Sequence, residues 1–177
     1  MTPKIFTVIA TLALAATSAA LASDGSASKA AAEVAYNEPE NFTDFRRSEH
    51  YTKADAQSLE RELSRAIERS AGSALPPGYT LSIRFTDIDL AGDVNPYQRI
   101  EMRDVREYRS VYPPRLSFDY AVKDTEGNVV LSGSERLVDM AYDMRLRMPN
   151  SDYTRIEAEL MRDFISDVAR KLNKAAA

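Results

Sequence analysis

The chain has 177 residues, a formal net charge of −4, a sequence pI near 5.2 and no cysteine. The acidic balance argues against general nucleic-acid binding, which needs a basic footprint. Without cysteine there are no disulfides, thiolate metal sites or cysteine nucleophiles, so packing must hold the fold together.

The first segment reads as an export signal. Lys4 gives a short positive region, Ile5 to Ala16 is apolar or small, and Ala20-Leu21-Ala22 supplies a small-x-small cleavage site. The apolar run is shorter than the roughly 20 residues of a spanning helix. Residues 1–22 are therefore expected to be a signal peptide, and the mature chain to be periplasmic or secreted with no transmembrane helix. Ser23 to Ala32 is Ala/Ser/Gly-rich and aperiodic, the pattern of a flexible leader. Residues 33–174 are read as one α+β domain, a length that suits a single core.

Glu33 to Tyr36 is a short strand candidate, closed by Asn37-Glu38-Pro39. A loop with Phe42 and Phe45 follows, both aromatics expected to pack on the domain. Thr52 and Asp55 form a capping box at the start of a helix, aspartate standing in for glutamate. Leu59, Leu63, Ala66, Ile67 and Ser70 share its inner face. Gly72 is read as the helix stop and Pro76-Pro77-Gly78 as a turn.

Tyr79, Leu81, Ile83 and Phe85 alternate with polar residues, giving a strand with one buried face. Ile88 and Leu90 then fall on the other parity. A bulge near Thr86-Asp87, or departure from the sheet there, reconciles the two sets. Arg99 to Arg109 mixes apolar positions with arginines and acids and is read as a strand near a sheet edge. Leu116, Phe118, Tyr120 and Val122 alternate, Asp124 to Asn128 makes a hairpin connection, and Val129, Leu131 and Leu137 continue on a partner strand. Gly133 within that strand marks a bulge or close packing.

Met140 to Met148 alternates with Ala141, Asp143, Arg145 and Arg147, although Leu137, Ala141, Met144 and Met148 also fit a helix. The alternation favours extended structure. The last helix is capped by Ser151 or Thr154, with Thr154 and Glu157 as a capping box. Its stripe is Ile156, Leu160, Phe164, Val168 and Leu172, widened by Tyr153, Met161 and Ile165. Asn173 to Ala177 is read as a frayed end. The element order predicts an antiparallel sheet of about four to five strands with two helices packed on one face.

The stretch from Thr86 to Pro96 carries the densest polar chemistry. Asp87, Asp89, Gly92, Asp93 and Asn95 partly echo a calcium loop. Ala91 occupies a ligand position and Gln98 replaces the bidentate glutamate, so the motif is incomplete. Asp87, Asp89 and Asp93 are thus the metal candidates, against a reading in which they hold a strand end. Asp87 and Asp89 also form a candidate acid/base pair for a hydrolase. His50 is the only histidine, and no Gly-x-Ser-x-Gly elbow accompanies it. Arg103 and Arg106 lie in the main basic concentration, interleaved with Glu101, Asp104 and Glu107. A solvated edge is one reading of these arginines and contact with an anionic envelope component another. Tyr142 with Met140, Met144 and Met148 fits either core or an adaptable groove.

A family resemblance runs through most of the mature chain. Its marks are Asn41-Phe42-Thr43-Asp44, Pro77-Gly78-x-x-Leu81, Thr86-Asp87-Ile88-Asp89-Leu90-Ala91-Gly92, Tyr112-Pro113-Pro114-Arg115, Gly133-x-Glu135 and Asp139-Met140-Ala141-Tyr142. With these the chain resembles the bacterial family catalogued as domain of unknown function 3016. The resemblance implies an exported envelope protein and no assigned activity. No cofactor is expected. The leading expectation is a non-catalytic domain that binds an envelope protein or an anionic envelope component. The alternative is a metal-dependent or carboxylate-using hydrolase centred on Asp87, Asp89 and Asp93. Asp87 and Asp89 are expected to act as fold determinants before they act as a binding site.

Overall fold

Alternating apolar residues build the sheet. The computed structural model describes residues 30–44, 52–94, 106–145 and 154–175. Its main strands are β1 (Ala31–Tyr36), β2 (Thr80–Asp89), β5 (Arg115–Lys123) and β6 (Val129–Val138), in the order β1-β2-β5-β6. Two helices, α1 (Lys53–Ala74) and α2 (Arg155–Ala175), cover one face. A separate ribbon pairs β3 (Asp93–Val94) with β4 (Arg106–Glu107). The α+β architecture and the side on which the helices lie follow the expectation from sequence. The sheet is mostly antiparallel, with one departure: β1 runs parallel to β2.

The parallel pair has a simple origin. α1 lies between β1 and β2 in the chain and serves as the crossover that parallel strands require. β1 begins at Ala31, so the last two residues assigned to the leader belong to the sheet. Ala32, Val34 and Tyr36 face the core side, with Leu81, Ile83 and Phe85 as their neighbours in register. The Tyr36 ring stacks on Phe85 at 5.3 Å. Its hydroxyl donates to the Glu60 carbonyl at 3.0 Å and lies 2.9 Å from Ser64 Oγ, which anchors α1 over the strand. The aromatic chain continues from Phe85 to Phe118 and from Phe118 to Phe164, joining β2, β5 and α2.

α1 starts with the capping box read from Thr52 and Asp55. It does not stop at Gly72 but runs through to Ala74. Leu75 is extended, as a residue before proline is pushed to be, so the Pro76-Pro77 pair ends the helix. Leu59, Leu63, Ile67 and Ala71 form its buried face.

α2 runs to Ala175, past the end expected to fray at Asn173. Its buried face is Glu157, Met161, Phe164, Ile165, Val168 and Ala169. That face is centred about one residue beyond the predicted stripe, leaving Ile156, Leu160 and Leu172 at its margin. The carboxylate of Glu157, the residue read as the partner of Thr154 in a capping box, turns inward to another element.

In the hairpin, Asp124 Oδ1 accepts from the Glu126 and Asn128 amides at 2.8 and 2.9 Å. Gly133 lies across from Tyr120, and a Cβ there would sit 3.3 Å from the ring. Close packing, rather than a bulge, is its role; the β5–β6 register shift falls at Val122/Lys123. The second sheet face remains open, with Arg84, Thr86, Asp119, Ser132, Ser134 and Arg136 exposed on it. This is the one-sided patterning of a mainly antiparallel sheet.

The segment read as extended from Met140 turns into a 3-10 helix at Tyr142–Arg145. Asp139 starts the turn by accepting from the Ala141 amide at 3.0 Å. Met140 and Met144 are 67% and 86% exposed, so neither is core, while Tyr142 is buried. Met148, Phe45, His50, Asn95, Gln98, Arg103 and residues 1–22 lie outside the described residues.

Candidate functional site

The phase change in β2 is a bulge. Phe85 pairs with Phe118, and Asp87 pairs with the next β5 residue, Ser117, so Thr86 is the extra residue. That single insertion lets both Phe85 and Ile88 reach the core. It also sets Asp87 and Asp89 on the face opposite Ile88.

Each of these aspartates meets a specific partner. Asp87 Oδ1 accepts from the Thr43 amide at 2.7 Å, and Oδ2 accepts from the Thr43 hydroxyl at 2.9 Å. Asp89 Oδ2 accepts from Arg115 Nη1 at 2.7 Å, across the register pair that joins β2 to β5. The first ties the end of β2 to the loop after β1. The second ties it to the start of β5. Asp93 is in β3, where it pairs with Glu107 in the ribbon. Among the described residues no group of three or more acidic or histidine side chains is placed to hold a metal ion.

Beyond Asp89 the chain bends through Leu90, Ala91 and Gly92. Arg106 occupies the inside of this bend. Its Nη2 contacts both Asp44 oxygens at 2.8 and 2.7 Å. Its Nη1 donates toward the carbonyls of Ala91 and Gly92 at 3.2 and 3.0 Å, with that of Leu90 at 3.5 Å. Both side chains of the Arg106–Asp44 pair are only 8% exposed. Burial raises the Asp44 carboxyl above its ordinary value; Arg106 opposes that rise, and Asp89 and Asp93 add to it. A buried acid is tolerated here because one guanidinium nitrogen faces both its oxygens while the other meets backbone carbonyls.

The opposite side of the Ala91 peptide is held from α2. Glu157 Oε1 accepts from the Ala91 amide at 2.7 Å. Gly92 takes φ of 79°, and its amide donates to the Tyr112 carbonyl at 3.0 Å. Tyr142 seals the same corner, its hydroxyl donating to the Arg109 carbonyl at 2.7 Å.

Of the residues singled out by sequence, Asp87, Asp89, Asp93, Arg106 and Tyr142 thus belong to one corner of the fold. Asn95 and Arg103 lie outside the described residues. Asp44 and Glu157 were missed as participants. Glu157 carried a legible signal, because it sits four residues before Met161 on the buried helical face. Asp44 stood out only within the Asn41-Phe42-Thr43-Asp44 mark, with no sign of its role, since its partner lies 62 residues away.

These features define an α+β domain whose main sheet is braced at one end by a buried ionic corner. The chain belongs to the family described as "Protein of unknown function (DUF3016)", whose profile matches residues 30–167. No curated protein shows significant similarity to it. Among solved structures it is similar to a PelC point-variant dodecamer from Paraburkholderia phytofirmans, with 12% identity and a TM-score of 0.39. That match covers 81% of this chain and 86% of the other. A second PelC dodecamer from the same organism has 12% identity, a TM-score of 0.38 and coverage of 79% and 86%. A minor lipoprotein from Acinetobacter baumannii has 11% identity, a TM-score of 0.23 and coverage of 82% and 90%. At these values the likenesses carry no functional argument.

Proposed function

We propose that the chain is an exported protein of the bacterial envelope that binds a protein partner and catalyses no reaction. The observation that carries this reading is the commitment of Asp87 and Asp89 to Thr43 and Arg115. Carboxylates already bonded to an amide, a hydroxyl and a guanidinium are poorly placed to exchange protons with a substrate. In this reading the Asp87–Gly92 block is a fold determinant first and a binding site second. The export-signal pattern of residues 1–22 supports the location. No helix among the described residues is long and apolar enough to cross a membrane.

A protein partner is favoured over an anionic one by what the arginines do. Arg106 is buried against Asp44, Arg109 pairs with Glu107, and Arg115 pairs with Asp89. Val111, Met140 and Met144 instead present apolar side chains to solvent. Methionine repacks readily against a second protein surface.

Expression of the full chain in a bacterial host, followed by in-cell crosslinking and N-terminal sequencing, tests the reading. The chain is expected in the periplasmic fraction, beginning at Ser23, with a discrete protein adduct. Met140→Asp/Met144→Asp is expected to abolish the adduct without changing the fold. An uncleaved cytoplasmic chain would overturn the location. A hydrolytic activity abolished by Asp87→Asn/Asp89→Asn would overturn the absence of catalysis.

A further inference from the structure

α2 enters the core with a carboxylate where its neighbours on the same face are apolar. Glu157 is fully buried beside the stripe of Met161, Phe164, Ile165 and Val168. Oε1 accepts from the Ala91 amide, while Oε2 has no hydrogen-bond partner among the described residues. The charges acting on it come from other elements. Arg106 on β4 sets Nη2 against both Asp44 oxygens, which leaves that pair neutral as a unit. Asp89 and Asp93 act on Asp44 from β2 and β3. Asp89 is itself paired with Arg115 of β5. From α1, Glu62 accepts from the Thr154 hydroxyl at the start of α2. An ionised Glu157 therefore adds a negative charge that, among the described residues, no cation of its own balances. A neutral carboxyl at the same place leaves only one weaker polar group unsatisfied.

We propose that Glu157 is a proton-operated latch: while Oε2 carries a proton, α2 holds the Ala91 bend, and loss of that proton releases the bend and the first turn of α2. The Ala91 peptide is the element on which the latch acts, since Glu157 holds its amide and Arg106 its carbonyl. Burial moves the Glu157 carboxyl from 4.5 up to about 7, with the Ala91 amide, its own backbone amide and Arg106 opposing the rise and Asp44 adding to it. Between these two values the folded protein binds more protons at this group than the unfolded chain does. Its contribution to stability therefore falls as pH rises through that window and levels off above about 7.

Glu157→Gln keeps the carbonyl acceptor and removes the ionisation. Urea unfolding across pH of the mature wild type and this variant isolates the group, because Asp44 is present in both. The wild-type folding constant is expected to drop on the order of 50-fold more than the variant's from about pH 5 to pH 8. Amide exchange at Ala91, corrected for intrinsic rate, is expected to accelerate over the same range in the wild type alone. A carboxyl carbon titration of Glu157 in the wild type provides a direct reading that does not depend on the variant folding. A midpoint below about 5, or identical pH profiles in the two proteins, would overturn the proposal.

Discussion

Replacing Arg106 by methionine is expected to cost about 3–5 kcal/mol of folding stability, measured by urea unfolding, a large part of the 5–15 kcal/mol typical of a domain. Methionine fills much of the space and cannot donate a hydrogen bond. Asp44 would then remain buried without its counter-charge, and the Ala91 and Gly92 carbonyls would lose their shared donor. The cost therefore comes from what is stranded rather than from the attraction lost. A second variant makes this separable. Asp44→Leu/Arg106→Met removes both charges and is expected to be more stable than Arg106→Met alone. Arg106→Lys is expected to recover only part of the loss, because one ammonium cannot face a carboxylate and two or three carbonyls as a planar fork does. A loss below about 1 kcal/mol in Arg106→Met would mean that the bend does not depend on this residue.

The second large effect is expected at Gly92. Gly92→Ala combines two costs of different origin. With φ of 79°, the residue lies in the left-handed region, which costs a non-glycine residue about 1–3 kcal/mol. In addition, a Cβ would sit 2.6 Å from the Glu107 carbonyl oxygen, a backbone atom of the paired ribbon. Moving β4 disturbs Arg106, the other residue of that strand. A total of about 3–4 kcal/mol is expected, read as a shift in the urea midpoint. Gly127 supplies the control. Its φ is 86°, and an added Cβ meets nothing within 4 Å. Gly127→Ala is therefore expected to cost about 1 kcal/mol, the backbone contribution alone. Equal losses at the two glycines would show that the approach to Glu107 is immaterial.

Much of this architecture was legible because the sequence patterns are local. Alternation from Leu81 to Phe85 and from Leu116 to Val122 located the two central strands, and the change of parity at Ile88 located the bulge. Thr52 and Asp55 announced the start of α1. Strand direction was less legible. The alternation of β1 is the same whether it pairs parallel or antiparallel, and the parallel choice follows from the long α1 crossover. Gly72 misled because glycine is tolerated inside a helix whose neighbours continue it, whereas Pro76 stops the helix by sterics. The Tyr142–Arg145 turn was hidden by an accidental alternation of methionine with polar residues. At the candidate site, Asp87, Asp89 and Arg106 stood out by residue type, yet their partners did not. Thr43, Asp44, Arg115 and Glu157 are brought in by tertiary contacts that no short window contains.

In the proposed reading, the Asp87–Gly92 block holds a bend before it does anything else. Urea unfolding of Asp87→Ala/Asp89→Ala beside the wild type, each with and without millimolar calcium, addresses it most directly. Removing the acceptors of Thr43 and the partner of Arg115 is expected to lower stability by about 2–4 kcal/mol, with calcium leaving both midpoints unchanged. Unchanged stability in the double variant, together with a calcium-raised midpoint confined to the wild type, would contradict the account and make the block a metal site.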